Sequence, residues 1–167
     1  TPQGDTGACG PGCGRMRAKH LVADCGENCR FCKGIAMTYG HNIEVGDNVV
    51  VHDDVHLDDR GKLTIGDRVS VSDGAHIYSH DHDTVDQTTV RNYHTTIEDD
   101  ARITHDAMVR AGVRVGRNAL LAAKSVLKDD IPAHHIAGGS PAGSIAVKPG
   151  WESVADAREN PDRREQR

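Results

Sequence analysis

From residue 97 onward the apolar positions of this chain recur every six residues. The segment reads IEDDAR, ITHDAM, VRAGVR, VGRNAL, LAAKSV and LKDDIP. The first position is Ile97, Ile103, Val109, Val115, Leu121 and Leu127. The fifth is Ala101, Ala107, Val113, Ala119, Ser125 and Ile131, small or aliphatic each time. Upstream the beat continues in VGDNVV, VHDDVH and LDDRGK from Val45, then, after two extra residues, in IGDRVS, VSDGAH and IYSHDH from Ile65. A period of six fits neither a helix nor the alternation of a flat two-sided sheet. It fits short strands joined by tight turns, with Gly-Asp, Asp-Asn and Asp-Gly supplying the turn geometry. Coils of this kind stack into a parallel β-helix whose rungs lie about 4.8 Å apart and whose inward aliphatic residues form ladders. A β-sandwich with accidental spacing is the competing architecture.

Carried backwards, the rhythm absorbs a conspicuous cysteine cluster, CGENCR and FCKGIA at residues 25–36. Its C-x3-C-x2-C spacing invites an iron–sulfur reading, but Cys25 falls on the aliphatic first position and Cys29 on the small fifth one. Buried thiols pack as small hydrophobes, so packing is the primary reading. A structural zinc drawn from Cys9, Cys13, Cys25, Cys29, Cys32 or His20 is the alternative.

Composition agrees with short strands and tight turns. The chain has 167 residues, enough for one domain, with 18 glycines and only 3% aromatic residues, so the core must be built from Val, Ile, Leu and Ala. A net charge of −5 argues against a nucleic-acid surface. No long apolar run or apolar leader occurs, which predicts a cytoplasmic protein with no membrane partner.

The beat breaks once, at HDHDTVDQTTVRNYHT, residues 80–95, and solenoids place function where the repeat is interrupted. This loop carries His80, Asp81, His82, Asp83, Asp86 and His94, a set of titratable groups leaving a rigid scaffold. The predicted organisation is an extension over 1–20, a solenoid over 21–148 with the loop at 80–95, and a charged tail over 149–167.

Four motifs in order, TYGHNIEVGDN at 38–48, LDDRGKLTIGD at 57–67, GAHIYSHDHD at 74–83 and AGGSPAGSI at 137–145, resemble the hexapeptide-repeat acetyltransferases, in particular the maltose and galactoside O-acetyltransferase branch. The resemblance covers residues 21–148. It implies an all-β, left-handed parallel β-helix, a homotrimer with active sites between subunits, acetyl-CoA as donor and a small acceptor such as a sugar. It implies no tightly bound cofactor and no catalytic metal.

Counting along IYSHDHD places the family's general base on His82, with His80 the fallback. The position of the branch's sugar-contacting Asn holds His52, and that of its acidic companion holds Arg60, preceded by Asp58 and Asp59. Thr38, His52 and Asp59 are therefore the expected acceptor residues. Ala123, Lys124, Lys128 and Arg114 are the expected donor residues, the cations facing CoA phosphates. Two other readings stand beside this one. A zinc carbonic anhydrase on the same solenoid would need histidines five apart, whereas the near pairs here are His52/His56, His76/His80 and His80/His82. A non-catalytic scaffold would keep the fold without turnover. The acceptor's identity and the choice of oxygen or nitrogen are not written in the residues.

Overall fold

The computed structural model describes residues 21–155. Cys9, Cys13, His20, the rest of the extension and residues 156–167 lie outside the described residues. The described chain winds as a three-sided parallel β-helix of two- to six-residue strands. The first face stacks Asp24–Cys25, Ile43–Val45, Lys62–Ile65, His94–Ile97 and Arg114–Val115. The second stacks Arg30–Phe31, Val50–Val51, Ser70–Val71, Arg102–Ile103 and Leu120–Leu121, then His135–Gly139 and Ala142–Val147. The third stacks Ala36–Met37, His56–Leu57, His76–Ile77, Met108–Val109 and Val126–Leu127. All pairings between coils are parallel; the last strand, Ala142–Val147, folds back antiparallel on His135–Gly139 and closes the second face. Among the described residues no helix is long and apolar enough to cross a membrane.

The six-residue rows point inward as expected. Val51, Val71, Ile103 and Leu121 stack in register and are fully buried, as are Leu57, Ile77 and Val109 on the third face. Cys25 lies under Val45 and packs with Cys29 against the core, so both cysteines occupy the positions the beat gives them. Ile131 departs from the expected fifth position. It pairs with Val115 on the first face, because the corner after Leu127 is cut short by Pro132 and the closing hairpin.

Two of the three edges are regular turns. Each places one residue in the left-handed region, such as Asn48, Arg68, Asp100 and Asn118 on the first edge and Asp54, Gly74, Asp106 and Lys124 on the second. Asn, Asp and Gly tolerate this conformation. Arg68 does so while paired with Asp100 of the coil above, and Lys124 while paired with Asp106 of the coil below. Aspartates also join coil to coil: Asp47 Oδ1 accepts the Glu27 N–H, Asp67 that of Asp47 and Asp99 that of Asp67, at 2.7–2.9 Å.

The third edge, from the third face back to the first, collects every long corner. Between inward residues the chain takes eight steps from Met37 to Val45 and from Leu57 to Ile65, then twenty from Ile77 to Ile97. The longest excursion is the predicted loop, which rises as an antiparallel hairpin of His80–His82 against Val90–Asn92. Here the interior turns polar, with Asp58, Asp59, Ser79 and Thr95 all buried. A widened corner leaves space that aliphatic rows cannot fill, and these polar groups fill it with hydrogen bonds to backbone.

Candidate active site

The arm is anchored by two buried hydroxyls. Ser79 Oγ donates to the Asp58 carbonyl at 2.7 Å and accepts the Gly61 N–H at 2.9 Å. Thr95 Oγ1 donates to the Tyr78 carbonyl at 2.6 Å and accepts the Gly112 N–H at 2.9 Å. The two ends of the arm meet directly, Tyr93 N–H donating to the Ser79 carbonyl at 2.7 Å. Further out, Asp83 accepts the N–H groups of Val85 and Asp86 and pairs with Arg91. Those backbone donors first, and Arg91 after them, hold its carboxyl below the usual carboxylate range. Asp86 is held low by the hydroxyls of Thr88 and Thr89. The arm is thus stiffened by its own side chains.

His82 stands exposed on the first strand of the arm, its Nδ1 3.0 Å from the Gln87 carbonyl. A carbonyl accepts only, so Nδ1 carries a proton, and in the neutral ring the lone pair is on Nε2. His80, on the same side of that strand, is 13% exposed, and its Nδ1 lies 2.8 Å from Oδ2 of Asp58. The His80 and His82 rings meet edge to face with centroids 5.6 Å apart. Asp81, between them, reaches Arg110 at 3.2 Å. His94, at the far end of the arm, bonds Thr64 Oγ1 at 2.8 Å; burial, and then Lys62, lowers its pKa.

Residues 38, 58, 78, 110 and 128 form one column along this edge, the N–H of each of the first four bonding the carbonyl that precedes the residue above. Thr38 is therefore at the lower end and Lys128 at the upper end of the column beside the arm. Lys128 is exposed and makes no salt bridge among the described residues. Asp59, also on this edge, is fully buried, its carboxylate accepting the N–H groups of Tyr39 at 2.7 Å and Asn42 at 3.1 Å.

The other predicted residues lie elsewhere. His52 is on the second edge, 3.9 Å from Asp73, which also contacts His105 at 3.6 Å. Ala123 and Lys124 share that edge, Lys124 Nζ bonding Asp106 at 2.9 Å. Arg114 lies on the first face, 3.2 Å from Glu98. The predicted set is thus divided between the two edges that flank the third face, with Arg114 just past the arm edge. Within one chain His82 and His52 do not meet.

Between these edges the outer side of the third face carries His56 and His76, stacked at 5.5 Å, with Tyr78 beside both. Burial first, and then His76, lowers the pKa of His56. The hexad pattern gives no sign of this cluster, because it describes only which way the aliphatic residues point. Nor does it show Asp58 beside His80, a contact made across one coil. Among the described residues no group of three or more His, Cys, Asp or Glu side chains is placed to hold a metal ion.

No family model matches the chain. Galactoside O-acetyltransferase of Escherichia coli K12 is 26% identical over 127 residues, 74% of this chain and 63% of that protein. The chain spans just under two thirds of the length of the first curated relatives it matches. Among solved structures, a hexapeptide-repeat-containing acetyltransferase of Vibrio cholerae O1 biovar eltor, complexed with acetyl coenzyme A, superposes with a TM-score of 0.74 at 24% identity, covering 78% of this chain and 73% of that one. A maltose O-acetyltransferase of Clostridium difficile 630 superposes with a TM-score of 0.69 at 26% identity, covering 78% and 72%.

Proposed function

We propose that the chain is one of the hexapeptide-repeat acetyltransferases, as its galactoside and maltose O-acetyltransferase relatives support, and that it moves an acetyl group from acetyl-CoA to a hydroxyl or amino group of a small acceptor, with His82 as general base. The observation that carries this reading is the Nδ1 contact of His82 with the Gln87 carbonyl, which leaves Nε2 as a proton acceptor on an arm braced for the purpose. Nε2 takes the proton of the acceptor as its oxygen or nitrogen attacks the thioester carbonyl. The tetrahedral oxyanion collapses, the C–S bond breaks, and the CoA sulfur leaves as thiol with the proton returned by His82. A sugar acceptor is supported by the galactoside and maltose relatives.

The division of the predicted residues between two edges supports a homotrimer with shared sites. Two edges of one rigid prism cannot converge, so His82, Thr38 and Lys128 of one copy are completed by His52, Ala123 and Lys124 of the next. Lys128 is the cation free to meet CoA phosphate, while Lys124 and Arg114 exchange a carboxylate for it. Asp59 serves the acceptor side from within, by fixing the turn that carries Thr38 and Tyr39.

The test is thiol release from acetyl-CoA across a panel of sugar and amine acceptors, with sedimentation run alongside. His82→Ala is expected to lower kcat about 10²–10⁴-fold. Retained turnover in that variant removes His82 from the chemistry, and a monomer in sedimentation removes the shared site.

A further inference from the structure

A buried carboxylate and a half-buried imidazole at the arm's root have no part in that step. Asp58 is 5% exposed by its side chain. One of its oxygens accepts the Arg60 N–H at 3.1 Å and the other lies 2.8 Å from Nδ1 of His80. Nδ1 has no aligned acceptor, so the approach is a close polar contact and not a linear hydrogen bond. A carboxylate withdrawn this far from water is costly unless a polar partner faces it. The partner is placed in turn by the hairpin, in which His80 lies opposite Asn92 just past the bond that Tyr93 N–H donates to the Ser79 carbonyl.

Residues two apart on a strand face the same side. His80 and His82 do so, ring edge against ring face, while Asp81 turns away to Arg110. Asp58, His80, His82 and the Gln87 carbonyl therefore form a continuous chain of contacts from the interior to the arm. We propose that His80 is a positioning residue: wedged against the buried Asp58 carboxylate, it holds the ring plane of His82 so that Nδ1 keeps facing the Gln87 carbonyl, the contact that sets the tautomer. The inference deepens the acyltransfer reading and rests on it for its catalytic consequence, while its geometric content stands independently.

The charged and titratable groups around the two rings are few. Asp58 lies below and His56 beside it, close enough to feel both Asp58 and His80. Tyr78 precedes the arm, and Asp81 with Arg110 and Asp83 with Arg91 are already balanced pairs. Asp58 is thus the unbalanced charge once His80 is removed.

The experiment is side-chain nitrogen NMR on full-length protein labelled with 15N-histidine, comparing wild type, His80→Ala and Asp58→Asn between about pH 5 and pH 9. Wild type is expected to show His82 as one tautomer protonated on Nδ1. In His80→Ala the two nitrogen signals of His82 should average, and its titration midpoint should rise, because the bare Asp58 charge favours imidazolium. In Asp58→Asn the midpoint should fall, each displacement being about half a pH unit. A merely structural role would not move the midpoint in opposite directions. With an active acceptor, His80→Ala should lower kcat about tenfold and leave the acceptor KM within about twofold. Unchanged His82 signals and titration in both variants overturn the proposal. So does a His80→Ala loss equal to that of His82→Ala with the His82 tautomer intact, which would make His80 the base. Should His80→Ala not fold, Asp58→Asn leaves the ring in place and decides the matter by the direction of its midpoint. Spectra as expected without CoA release from any protein would sink the acyltransfer reading alone.

Discussion

Asp59→Ala separates two ways in which one carboxylate can serve an acceptor site. Asp59 has no exposed surface, and its two oxygens accept the N–H groups of Tyr39 and Asn42, which frame the widened corner beside Thr38. The Asn42 side chain donates to the Asp59 carbonyl at 2.8 Å and is not lost with the carboxylate. The substitution strips two partly buried donors of their acceptor at about 1–2 kcal/mol each, so the expected loss is about 2–4 kcal/mol. For a domain of this size that is a fall in Tm of roughly 6–12 °C. Asp59→Asn keeps one oxygen for one of the two donors and should lie between. Calorimetry at fixed protein concentration measures the loss, and acceptor KM in the same preparations reports whether the Thr38 corner has moved. We expect both to change together while the KM for acetyl-CoA stays put. An Asp59→Ala protein that melts like wild type but binds acceptor poorly would mean the carboxylate touches the acceptor itself, and the account of the corner would be wrong.

A Cβ on Gly61 would collide with the carbonyl oxygens of Tyr93 and Ser79, backbone atoms that close the foot of the arm. Gly61→Ala should therefore lose turnover and melt lower, and a variant as active as wild type would refute that closure. Ile103→Ala opens a cavity between Val71 and Leu121 and should cost about 2–5 kcal/mol in denaturant unfolding, with its m-value unchanged. Burial lowers the pKa of His56 and of His134, whose ring stacks on Trp151 at 3.7 Å. A depressed histidine means that the unfolded chain binds more protons in this range. Stability from these groups is thus complete above about pH 6.5 and is lost as pH falls through their folded values. The Tm should drop over that window, and His134→Gln should flatten the drop; an unchanged slope counts against the assignment.

The rows from Ile97 to Leu127 and from Val45 to Ile77 were legible because inward packing imposes a period on aliphatic residues, and even Cys25 and Cys29 obeyed it. Ile131 was misplaced because a beat cannot announce where a corner will be cut short. The arm was legible as an interruption, and counting within it leads to His82, the proposed base. Asp58 beside His80 was not, since that contact depends on a coil offset set by the long corner between Leu57 and Ile65. The same ignorance of offsets hid the column that joins Thr38 to Lys128, and the separation of His52 from His82 onto different edges.

The bond between Tyr93 and Ser79 ties off the excursion at its base, so the path of the winding chain below and above does not depend on what lies between. Residues 80–92 are in that sense a cassette. Spliced for a segment of another length or charge beyond His82, it would leave the prism as a fixed chassis and rewrite only the surface offered to an incoming molecule. Chimeras exchanged at these two residues that retain His80 against Asp58, and His82 beside it, should keep the parent's melting behaviour while adopting a new choice of acceptor.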